Sequence, residues 1–238
     1  MNNYEEKALY ELRSWQRSMA KKPSFTNKMA KGMQKKMSGM IPEKAHEVIT
    51  EAMKNMVKAV LFGSKFVTDV PLLQGSLQHR EKLVEEKVKH YKRTAALSGA
   101  GTGAGIFLGL ADFPILLSLK LKFLFDAATI YGFDVRDYKE RLYILYIFQL
   151  AFSSQESRNI IYAKIQDWDT KVQVMPTDVE SFDWRSFQQE YRDFIDLAKM
   201  LQLFPGIGAF VGAYANYKLM NSLGDTAMNA YRLRMLKQ

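Results

Sequence analysis

The sequence predicts an all-α protein, a multi-helix globular bundle around two glycine-rich apolar helices. Three observations carry that expectation. Apolar residues recur at steps of three and four through most of the 238 residues. No run of alternating apolar and polar residues is long enough for a strand. Two segments, residues 101–109 and 208–212, space glycines four apart, which lets helix backbones approach closely.

The elements follow in order. Tyr4, Ala8, Leu12, Trp15 and Met19 share one face of a first helix. Lys21-Lys22-Pro23 ends it, because proline disfavours α geometry in the residue before it. A second amphipathic stretch places Phe25, Met29, Met33 and Met37 four apart, with lysines on its other sides. Those methionines suit a core, a membrane interface or a partner helix. Pro42 fits the first position of a third helix and Glu43 the positive end of its dipole. Ala45, Val48, Ile49, Ala52, Met53, Met56, Val57 and Val60 give that helix a 3.6-residue period, and Gly63 and Pro71 punctuate the turn after it.

The next helix starts near Leu77 with a charged first half that includes the pair Glu85–Lys89. It then loses all charge from residue 94 to residue 111. Asp112 is placed to cap a new helix opened by Pro114, and that helix runs to a glycine stop at Tyr131-Gly132. Asp134 is a second candidate cap, for a helix carrying Leu142, Ile144, Leu145, Ile147, Phe148 and Phe152. Further helices are expected over residues 156–168 and 179–203, and a last one closes with Arg232, Arg234 and Lys237.

Composition bounds the rest. Apolar residues make up 47% and charged residues 25%, as in ordinary globular proteins, so one domain over residues 1–238 is expected, with residues 1–40 as a basic amphipathic N-terminal region. The chain has no cysteine, which excludes disulfides, zinc-thiolate sites and thiol nucleophiles and fits a reducing compartment. The acidic, amphipathic start lacks the pattern of a secretion signal. A net charge of +9 favours an anionic partner. The charge is concentrated. No acid occurs between Leu12 and Pro42, while Arg13, Arg17, Lys21, Lys22, Lys28, Lys31, Lys35 and Lys36 are basic. That run reads either as a solvated face or, through Lys21, Lys22, Lys28, Lys31, Lys35 and Lys36, as a membrane or partner surface.

Gly101, Gly105 and Gly109 line one helix face, and Gly208 and Gly212 repeat the device. Each glycine costs about 1 kcal/mol of helix propensity against alanine, so a packed neighbour must offset it. Two uses compete: a helical hairpin in a globular core, and a hairpin that enters or lies in a bilayer. Spanning needs about 20 predominantly apolar residues. Here Ser98, Thr102 and the glycines dilute the stretch, and Asp112 adds about 2.5–3.5 kcal/mol on insertion scales. Lys92 and Arg93 flank one end, Lys120 and Lys122 the other. Peripheral, reversible contact is more economical than a stable span.

A family resemblance accompanies these residues. Tyr91-x-Arg93, Ser98-Gly99-Ala100-Gly101-Thr102-Gly103, Asp112-Phe113-Pro114 and Tyr131-Gly132-Phe133-Asp134 resemble the EcsC family, as does Pro205-x-Ile207-Gly208-Ala209-x-Val211-Gly212-Ala213-x-x-Asn216-Tyr217. The resemblance extends from about residue 40 onward, and its motifs are distinctive only in combination. It implies a Bacillus-type protein encoded beside an ABC-type exporter, cytoplasmic or peripheral to the membrane, with no settled biochemical activity. Arg93, Ser98, Gly101, Gly105, Gly109, Asp112, Pro114, Gly208, Gly212 and Asn216 are the candidate binding residues.

Other chemistry finds little support. Gly99-x-Gly101-x-x-Ala104 follows a charged helix where a dinucleotide fingerprint needs a strand. His46, His79 and His90 are scattered, and Glu86 with His90 makes two ligands where a metal site wants three or more. Asp112 reads as a helix cap, with a proton-handling or headgroup role as the alternative. Asp134 and Arg141, seven apart, read as a buried ion pair. No nucleic-acid motif occurs and the lysines lack interleaved aromatics, so no nucleic-acid partner is expected. No cofactor or metal is expected either. The leading expectation is a non-enzymatic accessory protein at the cytoplasmic membrane face, contacting anionic lipid or an ABC transporter. A carrier of lipid or another hydrophobic ligand, a hydrolase built around Asp112, His90 or Glu86, and an integral membrane protein are the alternatives.

Overall fold

A computed structural model describes residues 2–21, 43–62, 70–100, 105–154, 157–183, 185–187, 195 and 209–236, with backbone only for 43–46, 95–100, 105–112 and 209–216. The helices are α1 (Asn3–Ala20), α2 (Glu43–Phe62), α3 (Leu77–Ala100), α4 (Gly105–Tyr131), α5 (Tyr138–Phe152), α6 (Arg158–Ile165), the single turn α7 (Trp168–Lys171) and α8 (Ala209–Met235). An isolated antiparallel bridge between Ser153 and Ile195 is the one extended pairing among the described residues. The chain is all-α.

Local chemistry explains most boundaries. Asn2 caps α1 reciprocally: its side chain accepts from the Glu5 N–H while its own N–H donates to the Glu5 carboxylate, both at 2.9 Å. The face read from the sequence is buried through Ala8, Leu12 and Met19, and α1 ends at Ala20, before Pro23. α2 buries Ile49, Met53, Met56, Val57, Val60 and Leu61. Gly132 stops α4 with φ +93°, a conformation only glycine adopts freely.

Three long helices, α3, α4 and α8, pack against one another, and α5 lies on α8, α4 and α2. Every residue of α5 from Leu142 to Phe152 is buried. A helix that is apolar all round belongs at the centre of a core. α1 closes the outside of the bundle, packing on α8, α6 and α3.

Four expectations are corrected. α4 does not begin at Asp112 and Pro114; it runs through both from Gly105. Proline forfeits one backbone hydrogen bond inside a helix. The buried stripe of Phe113, Leu116, Leu117 and Leu121 keeps the helix continuous despite that loss. Asp137, not Asp134, caps α5, accepting from the Lys139 N–H. Asp134 is engaged instead by the Arg136 N–H and guanidinium, and those hydrogen bonds hold its carboxyl below the usual carboxylate range. Asp134 and Arg141 therefore form no ion pair: the Arg141 guanidinium donates to the carbonyls of Leu61 (2.8 Å), Val135 (3.1 Å) and Arg136 (2.6 Å). Finally, the helix expected over 156–168 breaks at Gln166-Asp167, where Asp167 takes φ +54° and turns Trp168 onto Tyr143 and Tyr146. The helix expected over 179–203 falls mostly outside the described residues, which show a 3-10 turn at Val179–Ser181.

Candidate functional site

The pairing of α3 with its two neighbours sets the geometry. Along α3 and α4, the Arg80 guanidinium donates to the Ile130 carbonyl at 2.6 Å, Lys87 and Tyr91 both reach Asp126 at 2.9 Å, and the Tyr91 ring meets Phe123. Positions rise on α3 as they fall on α4, so the two are antiparallel. Along α3 and α8, Glu81 meets Arg232, Val88 meets Gly224, and Lys92 lies 4.3 Å above the Tyr217 ring. That pair is antiparallel too. The C-terminal end of α3 and the N-terminal ends of α4 and α8 therefore gather at one end of the bundle.

Those three ends carry the uncharged segments. Ser98 lies on the last turn of α3, Gly105, Gly109 and Asp112 on the first turns of α4, and Gly212 and Asn216 on the first turns of α8. Gly101 and Gly208 lie outside the described residues, as do Lys22, Lys28, Lys31, Lys35 and Lys36 with the methionines among them. Pro114, Ile115 and Arg93 are exposed near this end. Lys21 is exposed just past the C-terminal end of α1, a helix whose Glu11 accepts from Arg232.

A band of cations lies just below that end. Lys92 is half-buried against Tyr217, Arg93 and Lys218 are exposed, and Lys122 keeps 45% of its side chain in solvent, 3.6 Å from Asp126. Tyr91 beside Phe123 and Asp126 sets Lys92, Arg93 and Lys122, which flank the uncharged stretch in sequence, at a similar level of the bundle. Lys120 is different. It is buried to 2% exposure, and burial lowers its ammonium from the usual lysine value to about 7.

Below the band the charges turn inward. Glu81 is fully buried and takes a bidentate contact from Arg232, at 2.6 and 2.7 Å, while Tyr4 donates to it at 2.6 Å. Burial opposes the Arg232 charge, but the hydrogen bonds and attraction of Glu81 and Glu11 outweigh it and keep the guanidinium ionised. Burial, then Glu81, raises the Tyr4 phenol above its usual value. Arg234 is held likewise by Glu140 and Asp169, with its guanidinium 3.7 Å from the Phe133 ring centroid. These interior pairs are not among the residues singled out from the sequence. The signal was there for Glu81, which falls on the stripe Leu77, Glu81, Val84, Val88, Tyr91, where every other member is apolar.

Beside Gly224 the helices α1, α3 and α8 enclose a groove of about 450 Å³. Its lining mixes signs: Lys7, Lys89 and Lys92 stand near Glu11, Glu85 and Asp225. His90 and Glu86 are exposed on α3, and among the described residues no group of three or more histidine and acidic side chains is placed to hold a metal ion. No helix among the described residues is long and apolar enough to cross a membrane.

Comparison with known proteins agrees with the motifs. The model of the EcsC protein family matches residues 6–236. Protein EcsC of Bacillus subtilis (strain 168) is 45% identical over 234 residues, covering 97% of this chain and 95% of that protein. The uncharacterized protein YdbA of the same organism is 28% identical over 204 residues, 85% of this chain and 69% of its own length. No solved structure matches. With one relative aligned end to end and the family model spanning the helices from α1 to α8, this chain belongs to the EcsC family.

Proposed function

We propose that this protein is a non-enzymatic accessory protein at the cytoplasmic face of the membrane. In this reading it contacts anionic lipid through the converging ends of α3, α4 and α8, beside the ABC-type exporter that the family resemblance implies. One observation carries it: beyond a band made by Lys92, Arg93, Lys122 and Lys218, the ends of α3, α4 and α8 carry no charge except Asp112 on α4. A nearly uncharged tip ringed by cations is what an interfacial protein presents, the tip entering about 5–10 Å and the cations meeting headgroups. Each basic residue near an anionic surface contributes about 1 kcal/mol, so the four give a total that salt weakens. The carrier reading has no comparable support, since the groove beside Gly224 is lined by charges of both signs.

Vesicle flotation tests the proposal. The protein should float with phosphatidylglycerol vesicles at low ionic strength, less at high salt, and not with pure phosphatidylcholine. The variant Arg93→Gln/Lys218→Gln should lose about 2 kcal/mol of binding, a factor of roughly 30. Failure to bind anionic vesicles at low salt, together with no recovery in membranes from cells, removes the reading.

A further inference from the structure

The groove between α1, α3 and α8 is unusual in what it leaves unengaged. Arg232 at its inner end is committed to Glu81 and Glu11, and Lys7 lies 3.8 Å from Glu11. Toward the helix ends, the side chains of Lys89, Glu85 and Asn221 line the groove with no hydrogen bond or ion pair to any of the described residues. Asp225 stands there too, within the electrostatic reach of Lys92. Gly224 and Val88 both line the groove, and the missing β-carbon lets α8 lie directly on Val88 there.

The signs of these groups select a ligand. A phosphate fits Lys89, Lys92 and Asn221, but Glu85 and Asp225 in the same groove repel a bare anion. A phosphate that carries a primary amine two carbons away turns both carboxylates from repulsive to attractive, since the ammonium can donate to them. Height agrees. From Lys92 to the end of α3 at Ala100 is eight residues, about 12 Å at 1.5 Å per residue, close to the depth an interfacial helix reaches. If the uncharged ends enter the bilayer, the groove's rim lies among the headgroups.

We infer that this groove is a binding site for a zwitterionic phosphate–amine headgroup of the phosphoethanolamine class. Lys89, Lys92 and Asn221 hold the phosphate, and Glu85 and Asp225 hold the ammonium. The inference rests on the membrane-facing reading above, and its test separates the two. Vesicles of fixed phosphatidylglycerol content are completed with either phosphatidylethanolamine or phosphatidylcholine, and soluble glycerophosphoethanolamine and glycerophosphate are titrated into ¹⁵N-labelled protein. The ethanolamine vesicles should bind about fivefold more tightly, the size expected of one partly solvated charge pair. Glycerophosphoethanolamine should shift the amides of Asn221 and Asp225, and glycerophosphate should not. Both preferences should vanish in Asp225→Asn/Glu85→Gln, whose thermal melt by circular dichroism should match the parent's.

Equal binding to the two vesicle types, with anionic-lipid binding intact, overturns the headgroup site and leaves the membrane reading standing. Amide shifts as large with glycerophosphate overturn it as well. Shifts with the soluble zwitterion and no vesicle binding support the groove's chemistry with a free ligand as its source, and sink the membrane reading instead.

Discussion

Gly224 of α8 lies so close to Val88 of α3 that a β-carbon at position 224 would come within 2.7 Å of the Val88 Cγ2 methyl. This is a close helix approach of the small-residue kind, at a lone glycine in a mixed-polarity stretch. Val88 is β-branched and stiff in a helix, so it cannot swing aside. Gly224→Ala should lower the unfolding free energy by about 1–2 kcal/mol despite alanine's better helix propensity. Adding Val88→Ala should recover part of that loss, so a double-mutant cycle by urea denaturation should give a coupling of about 1 kcal/mol. Additive effects would show that the two helices do not press on each other there.

The Glu81–Arg232 pair should behave as a buried ion pair. Glu81→Leu leaves a guanidinium buried to 5% exposure with Glu11 as its remaining carboxylate and should cost about 3 kcal/mol. Replacing both partners, as Glu81→Leu/Arg232→Met, should restore most of it, because the desolvation penalty disappears with the charges. Chemical denaturation of the three variants checks this; a double variant no better than the single would contradict it.

Lys120 makes stability depend on pH. Its ammonium is lowered to about 7 in the folded state, against an unfolded value near 10.5. Between those limits the unfolded chain binds more protons than the folded one, so stability rises with pH. The burial penalty is present in full below about pH 7 and fades as pH climbs. Unfolding free energies at pH 7, 8 and 9 should increase by up to about 1.4 kcal/mol per unit, and Lys120→Met should flatten that slope.

At Gly132 the cost of a side chain is conformational and steric together. A β-carbon would sit 2.9 Å from the Leu72 carbonyl oxygen, at φ +93°. Gly132→Ala should therefore destabilise by about 2 kcal/mol, measured by thermal melting.

Legibility followed the range of the interactions involved. The buried face of α1, the period of α2, the start of α3 at Leu77 and the stop at Gly132 are all decided within a few residues, and they were readable. Pro114 was misleading because a proline's local preference for a helix start lost to the buried stripe around Phe113 and Leu117. Asp134 was the expected cap, but Arg136 engages its carboxylate and Asp137 accepts from the Lys139 N–H at the helix start. Most consequential is the shared level of Lys92, Arg93 and Lys122 in the bundle. In sequence they flank opposite sides of an uncharged stretch, and only the antiparallel pairing of α3 and α4 sets them there.

Because the chain has no cysteine, a single one can be introduced at Ile115, 55% exposed on α4, or at Met235, 39% exposed at the far end of α8. Nitroxides at these two sites, read by power saturation in phosphatidylglycerol vesicles, report which end of the bundle meets lipid. The account predicts that the label at 115 gains oxygen accessibility and loses contact with a water-soluble relaxant, while the label at 235 changes in neither. Immersion of the label at 235, or full aqueous exposure of the label at 115 on protein bound to vesicles, would contradict it.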